Sequence, residues 1–302
     1  MVSFKARILS WLVWFWFKGA WQSAAGLNNR IAKERQHPER VPPKRLYKEF
    51  TVEEAKRPGH IADYIVYTVS PKTEAPTRGR ILYLHGGGFV FDITPQHWEL
   101  VAQLARRLNA TVTVPIYPLG PETSLMKMYE FVQPLHDELA SAPDQTPFWV
   151  VGDSAGGTMS LVLTQRAKMA GRQTAQRLVP ITPCTDSSLV NPDLHKAALK
   201  DPWLDVPGIA EITRLICPKM DTQDPNVSPI YGDLRLPPML VFAAGLDLLT
   251  PDTQKMVEMA KEKGTRVELV YGEGMIHVWP ILPIWEGKQA IDKMVEWLDQ
   301  EK

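Results

Sequence analysis

A serine, a histidine and two aspartates occur in an order and in local settings that permit nucleophilic catalysis. The stretch FWVVGDSAGG, residues 148–157, sets Ser154 between Gly152 and Gly156. An apolar run precedes it and a helix-compatible run follows it. That is the setting of a sharp strand-to-helix turn that thrusts a hydroxyl outward, with glycines where side chains have no room. A serine hydroxyl is a poor nucleophile at neutral pH until an imidazole takes its proton. The imidazole in turn needs a carboxylate to hold its tautomer and stabilise its charge. YGEGMIHVWP, residues 271–280, places His277 on a glycine-bearing loop after a strand-like run. VFAAGLDLLTPD, residues 241–252, offers Asp247 at a loop start and Asp252 in an expected first helical turn. Asp247 is the expected acid because strand-end residues point into a site; Asp252 suits stabilisation of the helix dipole. His97 and His136 fall inside helical patterns and His195 in an irregular stretch, so none competes with His277.

ILYLHGGGFV, residues 81–90, runs from apolar residues into His85, Gly86, Gly87 and Gly88. Consecutive glycines lose entropy on folding and pack nothing, so bare backbone must be needed there. Attack by Ser154 on a carbonyl creates an oxyanion, and each preorganised N–H aimed at it contributes about 3 kcal/mol. Ala155 supplies one amide. A glycine-rich loop after an earlier strand supplies others and approaches the substrate without a Cβ in the way. Gly88 is expected to give clearance and His85 to hold the loop, while Asp153, beside the nucleophile, is a supporting residue.

Positioning these groups takes a sheet. Strand-like runs fall at 62–69, 80–84, 110–116, 147–151, 177–182, 238–243 and 266–271, with a weaker one at 45–51. Helical patterns lie between them, at about 96–108, 123–140, 155–170, 251–263 and 284–300. Alternation of this kind predicts an α/β fold: a mainly parallel, twisted sheet of about eight strands, with helices on both faces. Ligands of such sheets bind beyond the carboxyl ends of the strands, where His85–Gly88, Ser154, Asp247 and His277 all fall. Residues 28–60 read as loop and short helix. Residues 185–236 break the rhythm, rich in Pro and Asp, and read as a helical insertion over one end of the sheet.

Composition narrows the partners. The chain has 302 residues, 44% of them hydrophobic, and no net charge. Neither a basic excess nor a long charge block points to nucleic acid. Cys184 and Cys217 have no metal-ligand spacing, no metal is expected, and both read as buried reduced thiols. The segment ILSWLVWFWF, residues 8–17, follows Lys5 and Arg7 and precedes Lys18. It is shorter than the roughly 20 residues that cross a bilayer. Packing on the protein, a signal peptide ending near Ser23–Ala25, and membrane-surface contact through residues 8–21, with Trp11, Trp14, Trp16 and Trp21, all stay open. The cytoplasm is the expected location, with a membrane surface or secretion as the competing ones. A second copy of the chain is a candidate partner.

HGGGF at 85–89, YPLGPE at 117–122, GDSAGG at 152–157, DP at 201–202, GLDLL at 245–249 and HVW from His277 together resemble the hormone-sensitive-lipase family of α/β-hydrolases. The resemblance spans about residues 60–300. It implies an α/β-hydrolase fold with a helical cap: residues 1–45 as the amino-terminal cap segment, and residues 46–302 as the catalytic domain carrying a cap insertion at about 185–236. It implies Ser154 as nucleophile, His277 as base, Asp247 as acid, and Gly86, Gly87 and Ala155 as the oxyanion hole, with no cofactor. The expected activity is serine carboxylester hydrolysis of short- to medium-chain acyl esters through an acyl-enzyme. Deacetylation or lipolysis of lipophilic esters is the competing reading, and a non-catalytic small-molecule receptor on the same scaffold a third. SLMKMYE after the YPL motif and GMIHVWP around the histidine depart from the family's usual residues.

Overall fold

The computed structural model describes residues 2–300 apart from 39, 60, 61 and 145. Eight strands form one sheet: β1 (Phe50–Arg57), β2 (Tyr64–Pro71), β3 (Gly79–Leu84), β4 (Ala110–Pro115), β5 (Phe148–Asp153), β6 (Arg177–Ile181), β7 (Met239–Leu246) and β8 (Val267–Ile276). Their order is β1-β2-β4-β3-β5-β6-β7-β8. β1 with β2 and β2 with β4 are antiparallel; every later pairing is parallel.

The central strands are apolar on both sides because helices cover both faces. Along β3, Leu82 and Leu84 point into one core while Ile81 and Tyr83 point into the other. Leu125–Ala140, Ala155–Met169 and Thr250–Glu262 pack on the first face; Pro95–Leu108 and Trp285–Asp299 pack on the second.

The weak strand expected at 45–51 is displaced. Lys44–Glu49 is a helix, and β1 begins only at Phe50 and runs to Arg57. β1 is an edge strand with most of its residues in solvent, so it carries no apolar alternation to read; pairing with β2 makes it a strand. The same event corrects the reading of 28–60 as loop and short helix.

Two segments converge over the carboxyl edge of the sheet. Residues 185–236 hold the helices Leu194–Ala198 and Val206–Ile216. The amino-terminal segment runs as the helix Phe4–Val13, a π-helical turn at Trp14–Lys18, a short turn at Gly19–Trp21 and the helix Ala24–Glu34. Gly208 of the insertion lies against the Trp21 ring with no space for a Cβ. Lys18 is buried, and its Nζ donates to Ala198 O at 2.9 Å and Leu204 O at 2.6 Å and pairs with Asp205 Oδ2 at 3.0 Å. A buried ammonium held by two carbonyls and a carboxylate fixes one segment to the other, because any of these groups left alone would be costly. Trp21, one of four tryptophans with a membrane-surface reading, is buried instead. Ser23 caps the next helix, its Oγ accepting from Gly26 N–H at 3.1 Å. Among the described residues, no helix is long and apolar enough to cross a membrane.

Candidate active site

Ser154 stands between the end of β5 and the helix Ala155–Met169, with φ 51° and ψ −118°. Few non-glycine residues hold this conformation, which costs on the order of 1–3 kcal/mol. The bare flanks make it feasible. A Cβ on Gly152 would collide with the Gly156 carbonyl, and one on Gly156 with the Leu84 carbonyl. The Ser154 N–H is anchored to Ile181 O at 2.8 Å, so the turn is tied to β6.

Asp247 follows β7 and His277 follows β8, so the parallel ends of neighbouring strands bring them to Ser154. His277 Nε2 lies 2.8 Å from Ser154 Oγ, and His277 Nδ1 lies 2.9 Å from Asp247 Oδ2. The carboxylate can only accept, so the ring proton sits on Nδ1 and Nε2 is left to accept from the serine. The other Asp247 oxygen accepts the Leu249 N–H at 2.9 Å, which fixes the carboxylate plane. Burial by itself would lower the His277 pKa; the charge and hydrogen bond of Asp247, with Asp201 and Asp153 adding, outweigh it and raise the pKa above the ordinary imidazole value. Asp252 is elsewhere: it is buried in the first turn of its helix and accepts from Asn191 Nδ2 at 2.7 Å. Burial raises its pKa.

The glycine loop is held from below and behind. His85 stacks on Tyr117, ring centroids 4.3 Å apart, and its Nδ1 donates to Gly86 O at 2.7 Å. The Tyr117 hydroxyl donates to His85 O at 2.6 Å. Burial, then the neighbouring His97, push the His85 pKa down to about 3, so it is a neutral strut. Gly86 lies on the Asp153 carboxylate, where a Cβ would collide. Asp153 accepts from Tyr83 OH at 2.6 Å and from His97 Nε2 at 3.2 Å. Its burial works to raise the pKa, and the electrostatic interaction with His97 and the two hydrogen bonds overcome this and hold it below the usual carboxylate range. Gly87 has φ 104°, which excludes most side chains, and Gly88 lies against Ile212. Among the described residues, the N–H groups of Gly86, Gly87 and Ala155 have no backbone acceptor.

A cavity of about 40 Å³ opens beside Ser154 and is walled mostly by apolar groups, among them Trp21, Phe89, Ile209, Ile212 and Ile216. Among the described residues, no group of three or more His, Cys, Asp or Glu side chains is placed to hold a metal ion.

Sequence reasoning missed four contributors. The sequence marks His97 only as a helical residue, yet it holds Asp153. Asp201 of the DP pair is buried and accepts from Trp203 N–H at 2.7 Å, Leu204 N–H at 2.9 Å and Leu248 N–H at 2.7 Å. It therefore ties the insertion to the loop that carries Asp247; burial and then the Asp247 charge push its pKa up to about 7. Trp203 stands edge-on to His277 with 6.0 Å between ring centroids. Trp21 walls the cavity. Only Asp201 had a signal, since it lies in a quoted motif without a role.

The profile of a family described as alpha/beta hydrolase fold matches residues 81–281. A triacylglycerol lipase of Mycobacterium tuberculosis is 30% identical over 212 residues, 70% of this chain but only 44% of that longer protein. An acetyl-hydrolase of Streptomyces hygroscopicus is 27% identical over 220 residues, 70% of this chain and 72% of that one. The crystal structure of an esterase/lipase from an uncultured bacterium superposes with a TM-score of 0.80 at 25% identity, covering 98% of both chains. The sheet order, the matched profile and these relatives agree: the chain belongs to the α/β-hydrolases, in the group of ester hydrolases that resemble hormone-sensitive lipase.

Proposed function

We propose that the chain is a serine carboxylesterase acting on small neutral esters of short- to medium-chain acids. The observation that carries this is the unbroken relay from Asp247 through His277 to Ser154, at 2.9 and 2.8 Å, on the wall of an apolar cavity. Ser154 Oγ attacks the ester carbonyl while His277 Nε2 takes its proton. The N–H groups of Gly86, Gly87 and Ala155 donate to the developing oxyanion. Collapse breaks the bond to the alcohol, which leaves with the proton from His277. A water then gives its proton to His277 and attacks the acyl-enzyme, and Ser154 recovers its proton as the acid departs. The two free thiols, Cys184 and Cys217, suit a reducing compartment and hence the cytoplasm.

The small size of the cavity supports short acyl groups. A space holding one water measures about 10–15 Å³ on this scale, so this one takes about three such groups. Rates on p-nitrophenyl esters should therefore be highest between acetate and butyrate and fall steadily toward palmitate. An optimum at palmitate would overturn the acyl-length assignment and favour a lipase.

Two further results are expected. His277 must be neutral to act as base, and its raised pKa moves the acid limb of kcat/KM above the ordinary value of about 6.5. Activity should rise as pH climbs through that limb; a midpoint below 6 or so would contradict the charge environment described. Gly87→Val should lower kcat by about 10²–10³, because a residue at φ 104° with a Cβ 2.7 Å from Phe91 O must twist the loop amides out of line. Circular dichroism checks that the fold survives; unchanged kcat in the folded variant would remove Gly87 from the oxyanion hole.

A further inference from the structure

The amino-terminal helix carries apolar residues on two sides, and only one of them packs on the protein. Ala6 and Val13 face the protein, and Phe17 packs on Trp203 with ring centroids 5.4 Å apart. The other side carries Phe4, Ile8, Trp11, Leu12 and Phe15, the i, i+4, i+7, i+8, i+11 spacing of a helical stripe, and it faces solvent. Its residues are exposed from 38% at Leu12 to 79% at Phe4, and adjoining Trp16 is 65% exposed. Trp11 stacks on Phe15 at 5.9 Å and Phe15 meets Trp16 edge-on at 5.2 Å, so these rings shelter one another rather than a core. Over the π turn at Trp14–Lys18, three successive aromatics face outward while Lys18 turns inward to the insertion. The apolar face of an amphipathic helix is ordinarily buried, and a contiguous exposed patch of this kind marks a contact surface.

Charge says what the contact is. The first 33 residues contain Lys5, Arg7, Lys18, Arg30 and Lys33 and no Asp or Glu, in a chain whose net charge is zero. Lys18 is spent inside the protein, while Lys5 and Arg7 stand exposed at the start of the stripe. Tryptophan, an apolar body with one N–H donor, favours the headgroup boundary of a bilayer. A second copy meeting this face through its own stripe would bring no carboxylate to Lys5 and Arg7, whereas anionic headgroups would. We propose that the stripe from Phe4 to Trp16 seats on a membrane surface carrying anionic lipid, with the helix lying in the plane of the interface. Phe17, one residue past the stripe, touches Trp203, which roofs His277, so the seated face adjoins the candidate active site. The further step, that esters dissolved in the membrane reach Ser154, rests on the esterase reading above.

The full chain should co-sediment with vesicles of phosphatidylcholine and phosphatidylglycerol in equal parts, and less with phosphatidylcholine alone or in high salt. Trp11→Ser combined with Phe15→Ser should lower the partition coefficient by at least about tenfold. Hydrolysis of dissolved p-nitrophenyl acetate should stay unchanged in that variant. Ser154→Ala should bind vesicles as the parent does, so a failure of the chemistry leaves the docking result standing. Quenching of tryptophan fluorescence in the parent protein by brominated lipid reads the same contact without any variant. Absence of both sedimentation and quenching overturns the proposal. So does self-association in sedimentation velocity that the double substitution abolishes while vesicles bind neither form, since a second copy would then cover the stripe.

Discussion

Ser154→Ala should lower kcat by about a million-fold on any ester the protein hydrolyses, with little change in melting temperature. The magnitude follows from the chemistry: with Oγ gone no acyl-enzyme forms, and only the amides and the binding cavity remain to assist water. The structural cost is small because the substitution opens no cavity in a core. The anchor from Ser154 N–H to Ile181 O is a backbone bond and survives. The strained φ of 51° is made feasible by the bare flanks at Gly152 and Gly156 and is held by that backbone anchor, not by the hydroxyl. The checks are steady-state kinetics and a thermal melt on the same preparation. Loss of activity together with a large fall in melting temperature would mean that the serine is structural.

Asp247→Asn should lower kcat by about 10⁴ while leaving the cavity intact. The reason lies in the second contact of the carboxylate. Leu249 N–H donates to one Asp247 oxygen at 2.9 Å, so an amide at this position must keep its carbonyl oxygen there. Its NH₂ then points at His277 Nδ1, which must accept. The ring proton moves to Nε2, and that nitrogen can no longer take the proton of Ser154. The same substitution removes the charge that holds the His277 pKa up, so any residual activity should have its acid limb at lower pH than the parent. Asp252→Asn is the control. That carboxylate contacts Asn191 and not His277, so its loss should affect stability more than kcat. A larger kcat loss in Asp252→Asn than in Asp247→Asn would reverse the assignment of the acid.

Much of this is legible in the sequence, for identifiable reasons. Strands buried on both faces announce themselves as unbroken apolar runs, and that signal puts the ends of β3, β5 and β7 within three residues of where they lie. Chemistry follows the ends of such strands in an open sheet, so the position of Asp247 just past β7 outweighed that of Asp252 inside a helix. The unread parts depend on packing. β1 is polar because it is an edge strand, and only its pairing with β2 reveals it. His97 lies on a helix whose register, invisible in the sequence, points one ring nitrogen at Asp153. Lys18 looks like the flank of an apolar segment, yet it is a buried pin between two segments about 180 residues apart. Asp201 has three backbone partners spread over two loops, which no local pattern encodes. Trp21 resembled its exposed neighbours in composition and differs from them only in what stands beside it.

The most direct test of the central claim is inactivation by paraoxon followed by peptide mass mapping. Ser154 Oγ should displace p-nitrophenolate, form one bond to phosphorus and leave a single diethylphosphoryl group on the protein. The account predicts one adduct per chain, located on Ser154, appearing in step with the loss of esterase activity and absent from Ser154→Ala. An adduct on another residue that tracks the loss of activity, or full inactivation with Ser154 unmodified, would contradict it.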